Sequence, residues 1–107
     1  MRYIVITLLL LVTFGTYGQD LESYAYVFLK TNPNKEALPK AKVDSLQKGH
    51  LANIQRLASE DKLLVAGPFD GGGGIFIMNT TSTKEAENWI RTDPAIAANR
   101  YRIEILP

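Results

Sequence analysis

Residues 23–30 (SYAYVFLK) have no face suited to water. In a β-strand successive side chains point to opposite sides. That places Tyr24, Tyr26 and Phe28 on one side and Ala25, Val27 and Leu29 on the other. Residues 74–79 (GIFIMN) repeat the pattern, with Phe76 and Met78 opposing Ile75 and Ile77. An antiparallel sheet covered on one face alternates apolar with polar residues, so strands like these require cover on both faces. The rest of the chain must supply that cover or leave it to another molecule.

From about residue 40 to 61 the apolar residues Val43, Leu46, Leu51, Ile54, Leu57 and Ala58 recur at spacings of three and four, which predicts one long helix. Residues 31–34 (TNPN) form a turn before it. Residues 62–67 (KLLVAG) and 74–79 are short apolar runs joined by Pro68-Phe69-Asp70 and three glycines, and read as an antiparallel hairpin with a loose loop. Ser82-Thr83-Lys84-Glu85 fits a capping box opening a helix with Ala86, Trp89 and Ile90 on its apolar stripe, ending near Thr92. Asp93-Pro94 restarts a short helical turn through Asn99, and residues 100–106 (RYRIEIL) alternate as a last strand.

The order is therefore βαββαβ. With right-handed connections it gives an α+β, ferredoxin-like fold: a four-stranded antiparallel sheet with two helices on one face. Both helices are then spent on one face, and the other is expected to be covered by a second copy, sheet against sheet, in a homodimer. Arg102 and Glu104, the polar alternates of the last strand, suit a sheet edge.

The first eighteen residues stand apart from this domain. Arg2 precedes the apolar run 3–14 (YIVITLLLLVTF), followed by Gly15-Thr16-Tyr17-Gly18 and the polar Gln19-Asp20, which is the layout of a signal peptide. The run is shorter than the about 20 apolar residues needed to span a bilayer. Cleavage after Gly18 leaves residues 19–107 as one domain, expected to be exported and soluble in the periplasm or extracellular medium. It removes Arg2 from the 12 basic residues and none of the 11 acidic ones, so the mature domain is neutral. A neutral surface provides no field for nucleic acid or an anionic membrane, and the expected partners are a small molecule and a second copy. With no cysteine and a single histidine, thiolate chemistry, disulfides and Cys- or His-paired metal sites are excluded.

That histidine, His50, lies on the helix stripe seven residues from both Val43 and Leu57, with Leu46 and Ile54 one turn away on either side. It therefore points at the sheet. A half-buried imidazole needs a hydrogen-bond partner, and a carboxylate would fix its tautomer and prepare it for general acid–base work. Asp93 is the preferred carboxylate because it stands at the break between helices; Asp70, in the glycine loop, is the alternative. A packed core histidine and an Asp-Pro helix cap are the structural readings of the same residues. The pocket is expected between helices and sheet, with Tyr24, Tyr26 and Phe28 as walls and the loop around Asp70 as a lid. The glycines are not a phosphate cradle, because Gly74 leads into Ile75-Phe76 rather than Gly-Lys-Ser/Thr and a helix.

Together, residues 24–29, the His50-Leu51-Ala52-Asn53-Ile54 segment, Lys62-Leu63-Leu64-Val65-Ala66-Gly67-Pro68-Phe69, the Asp-Gly-Gly-Gly loop and Asp93-Pro94 resemble the YCII-related family over residues 23–106. The resemblance implies a dimeric α/β barrel of ferredoxin-like subunits. It also implies an active site in which the histidine pairs with the aspartate of Asp-Pro, which carries over to His50 and Asp93. One lineage of the family is linked to dehydrochlorination of a halogenated hydroxylated aromatic. Gln47 stands where an arginine is frequent, Ala95 where a bulkier residue is usual, and Asp61 where a helix-ending glycine is common. Family members are usually cytoplasmic, so an export signal is a further departure.

Three functions fit these features. The first is a lyase or isomerase in which His50, oriented by Asp93, removes a proton from a hydroxyl or acidic carbon, work that needs no metal or cofactor. The others are a non-catalytic dimeric ligand-binding or structural module of the cell envelope, and a cofactorless oxygenase.

Overall fold

The computed structural model describes residues 23–107. Seven elements follow one another: β1 (Ala25–Thr31), α1 (Lys40–Ser59), β2 (Leu63–Pro68), β3 (Gly74–Met78), α2 (Thr83–Ile90), α3 (Pro94–Ala97) and β4 (Tyr101–Leu106). The expected βαββαβ order is present, with the Asp93-Pro94 turn as the short α3. The strands form one antiparallel sheet in the order β2-β3-β1-β4, so β4 is an edge. The proposed signal segment 1–18 lies outside the described residues.

Pleat parity decides what faces the helices. Ala25, Val27 and Leu29 of β1 and Phe76 and Met78 of β3 are buried. They join Leu57 of α1, Ala86 and Ile90 of α2 and Ile96 of α3 in one core. All the described helices thus cover a single face of the sheet.

Local chemistry sets the element ends. Ser82 Oγ accepts from the Glu85 amide at 3.1 Å and opens α2. Asp61 takes a left-handed φ of 58° where the chain leaves α1, a conformation aspartate tolerates. In β2 a bulge between Leu63 and Val65 turns Leu63 into the core and Val65 to the outer face.

The glycine loop is tighter than the expected loose connection. The Phe69 amide donates to the Gly73 carbonyl at 3.0 Å, and Gly71, Gly72 and Gly73 all have positive φ. A Cβ on Gly73 would collide with the Leu29 carbonyl oxygen. Only glycine lets this turn lie against the central strand.

Candidate active site

His50 is carried by α1 on the same stripe as Leu46, Asn53 and Leu57, all buried. Leu51 and Ala58, which the spacing placed on that stripe, are exposed. The contact between α1 and the α2–α3 turn rests on Gly49. A Cβ there would lie 2.6 Å from Pro94 Cγ, so the absent side chain lets the helix meet the proline ring. His50 thereby comes level with Asp93.

Asp93 divides its two oxygens between two tasks. Oδ1 accepts from the Ala95 amide at 2.8 Å and caps α3. Oδ2 is hydrogen-bonded to His50 Nδ1. The cap and the pairing are thus the same side chain at work, not competing explanations. Asp93 is only 1% exposed, and a buried carboxylate is costly unless hydrogen-bonded; both oxygens are.

A clamp just before Asp93 holds the turn to α1. Arg56 Nη2 donates to Asn53 Oδ1 and to Thr92 Oγ1, each at 2.9 Å, and Thr92 Oγ1 donates to the Trp89 carbonyl at 2.6 Å. The other arm of Arg56 reaches Glu60, whose carboxyl is held below the usual carboxylate range by hydrogen bonds from Lys62 and Arg56.

The imidazole lies against Phe76 (ring centroids 6.3 Å apart) and Tyr101 (5.7 Å). Nδ1 is taken by Asp93. A carboxylate can only accept, so the neutral ring carries its proton on Nδ1 and presents a lone pair at Nε2. No protein group among the described residues bonds Nε2, yet it is not a sealed unpaired atom. It opens on a cavity of about 450 Å³ between α1 and the sheet. Leu29, Ile54, Phe76 and Tyr101 supply apolar walls, with Gln47 on the helix side and Gly73 on the hairpin side. A basic nitrogen facing an apolar chamber is suited to moving a proton on a bound organic molecule.

The remaining expected site residues are placed elsewhere. Tyr26 and Phe28 occupy the sheet face opposite His50, because Ala25, Val27 and Leu29 took the helix side. Phe28 stacks on Phe69 there, with centroids 6.4 Å apart. Tyr24 precedes β1 and Asp70 is exposed in the glycine loop; neither lines the cavity. Of the remaining walls, Phe76 and Tyr101 carry no distinctive signal in the sequence, and Gln47 stands out only as a departure from the family pattern. Gly49 did carry one: a glycine inside a helical pattern marks a close approach or a cost.

Among the described residues no group of three or more His, Cys, Asp or Glu could hold a metal ion, and no helix is long and apolar enough to cross a membrane.

Fold and site together define a ferredoxin-like α+β domain with a buried histidine–aspartate pair at the head of an apolar cavity. The chain belongs to the YCII-related domain family, whose model matches residues 24–106. Among solved structures it is similar to 5-chloro-2-hydroxyhydroquinone dehydrochlorinase from Burkholderia phenoliruptrix AC1100, in complex with 2,5-dihydroxybenzoquinone. The identity is 21% and the TM-score 0.61, over 79% of this chain and 92% of that one. No curated protein sequence matches the chain.

Proposed function

We propose that this protein is a small-molecule enzyme of lyase or isomerase type in which His50 is the general base and Asp93 fixes its tautomer. The observation that carries this reading is the division of the ring nitrogens: Nδ1 held by a buried carboxylate, Nε2 open to an apolar cavity. In the step proposed, Nε2 takes a proton from a hydroxyl or acidic carbon of a cyclic, conjugated substrate. The electron pair left behind moves through the ring. Where a leaving group such as halide sits at the far end, it departs with that pair and the reaction is an elimination. Where none does, the proton returns to another atom and the product is a tautomer. Both routes balance without an oxidant or reductant. The dehydrochlorinase with the similar fold makes halogenated hydroxylated aromatics the first compounds to try.

The test is a screen of such aromatics with the wild-type protein and His50→Ala, following halide release and ring absorbance. Turnover by the wild type that falls by about 10²–10⁴-fold in the variant supports the reading. Equal turnover by both would remove His50 from the chemistry.

The working form is proposed to be a homodimer joined through the sheet face that no described helix covers. The register lines up Val65, Ile77, Tyr26 and Leu106 in one apolar row across all four strands. Val65, Tyr26 and Leu106 are 50%, 38% and 44% exposed, and Phe69 extends the patch. Light scattering on residues 19–107 at micromolar concentration is expected to give twice the monomer mass, and Ile77→Lys to halve it. A wild-type monomer overturns the dimer.

Export is likewise proposed, on the charged start, apolar run and small-residue end of residues 1–18. Mass spectrometry of the protein recovered from the periplasm or medium should find a chain beginning near Gln19; an intact Met1 in the cytoplasm would contradict it.

A further inference from the structure

A second compartment of about 240 Å³ adjoins the His50 cavity and shares Gln47, Gly73 and Tyr101 with it. Its character is different. Lys35 and Arg100 contribute to its wall, beside Thr31, and among the described residues no acidic side chain lines either compartment. Among the described residues neither cation belongs to an ion pair, which they share with Lys42, Lys48, Lys84 and Arg102; of these six only Lys35 and Arg100 line a compartment. Both are anchored by the backbone. The Lys35 amide donates to the Asn32 carbonyl at 3.2 Å; the Arg100 amide donates to the Ala95 carbonyl at 3.1 Å. Arg100 Nη1 also donates to the Glu36 carbonyl at 2.6 Å, which fixes the guanidinium and leaves its other N–H groups for a ligand.

We propose that this compartment holds a carboxylate on the substrate whose ring lies against His50, so that the substrate class is a hydroxylated cyclic acid. The inference rests on the proposed role of the His50 cavity. Two unneutralised cations in a recess walled without acids favour an anion, and Arg100 can form a charge-assisted hydrogen bond with a planar carboxylate. Because the chambers meet at Gln47, Gly73 and Tyr101, one small molecule can place its ring in the apolar part and its carboxylate in the basic part.

The test uses a matched pair of probes, 2,5-dihydroxybenzoate and hydroquinone, which differ by one carboxylate. With a single histidine in the sequence, the imidazole resonances report binding beside His50 without ambiguity. Both compounds should shift them, the carboxylate binding about tenfold more tightly, as one charge-assisted hydrogen bond allows. Lys35→Gln and Arg100→Gln should each erode that advantage, as should added salt. Lys35 is exposed, so its replacement keeps the test clear of any folding loss at Arg100. Equal affinities with His50 responding to both probes overturn the carboxylate site and leave the His50 cavity standing. An advantage that survives both substitutions also overturns it. Failure of both probes to move His50 overturns the carboxylate site and the cavity reading together.

Discussion

Asn at position 93 is expected to leave the fold standing and to lower turnover by about 10²–10⁴-fold, the usual worth of a positioned general base. The reason is geometric. Oδ1 of residue 93 must go on accepting from the Ala95 amide, because an amide NH2 turned that way would oppose another donor. Asp93→Asn therefore presents its NH2 to His50 Nδ1. The ring can meet that donor only with a lone pair on Nδ1, which moves its proton to Nε2, the nitrogen facing the cavity. A base becomes a donor. In protein labelled with nitrogen-15 at histidine and recorded with the ring neutral, the tautomer should switch from Nδ1–H in the wild type to Nε2–H in the variant. This readout needs no substrate. An unchanged tautomer would show that Asp93 serves α3 alone.

A second large effect is expected from a single methyl group, with a sign opposite to helix propensity. Replacing a glycine in the interior of a helix by alanine ordinarily stabilises it by about 1 kcal/mol. At Gly49 the added carbon would stand 2.6 Å from a ring atom of Pro94. Proline cannot swing its side chain away, and overpacking of this kind costs about 1–3 kcal/mol. The clash is expected to win, giving a net loss of up to about 2 kcal/mol for Gly49→Ala in urea denaturation, together with displaced His50 resonances. A gain in stability would mean that the α2–α3 turn yields to the helix.

Much of the domain was legible from residue spacing. The period of three and four in α1 put His50 toward the sheet, and the Asp-Pro break put a carboxylate at the end of α2. Both placements depend on local rules that tertiary packing did not override. Three features were not legible in this way. Pleat parity sorts β1 into two apolar sets without saying which set meets the helices, and Tyr26 and Phe28, expected as pocket walls, lie on the opposite face. Asn53 is polar, and only the side chains of Arg56 and Thr92, reached through folding, make its burial acceptable. The string of glycines reads as looseness when φ and neighbours are unknown. In the fold the same string is a turn pressed onto β1.

That turn restricts how the family scaffold can diverge. Gly73 borders both compartments and tolerates no side chain, so this stretch of the chamber wall has no side chain through which to change its shape or polarity. New ligand preferences must then arise across the gap, at positions such as Gln47, Lys35 and Arg100. Directed libraries confined to those positions should recover altered selectivity far more often than libraries spread over residues 71–74.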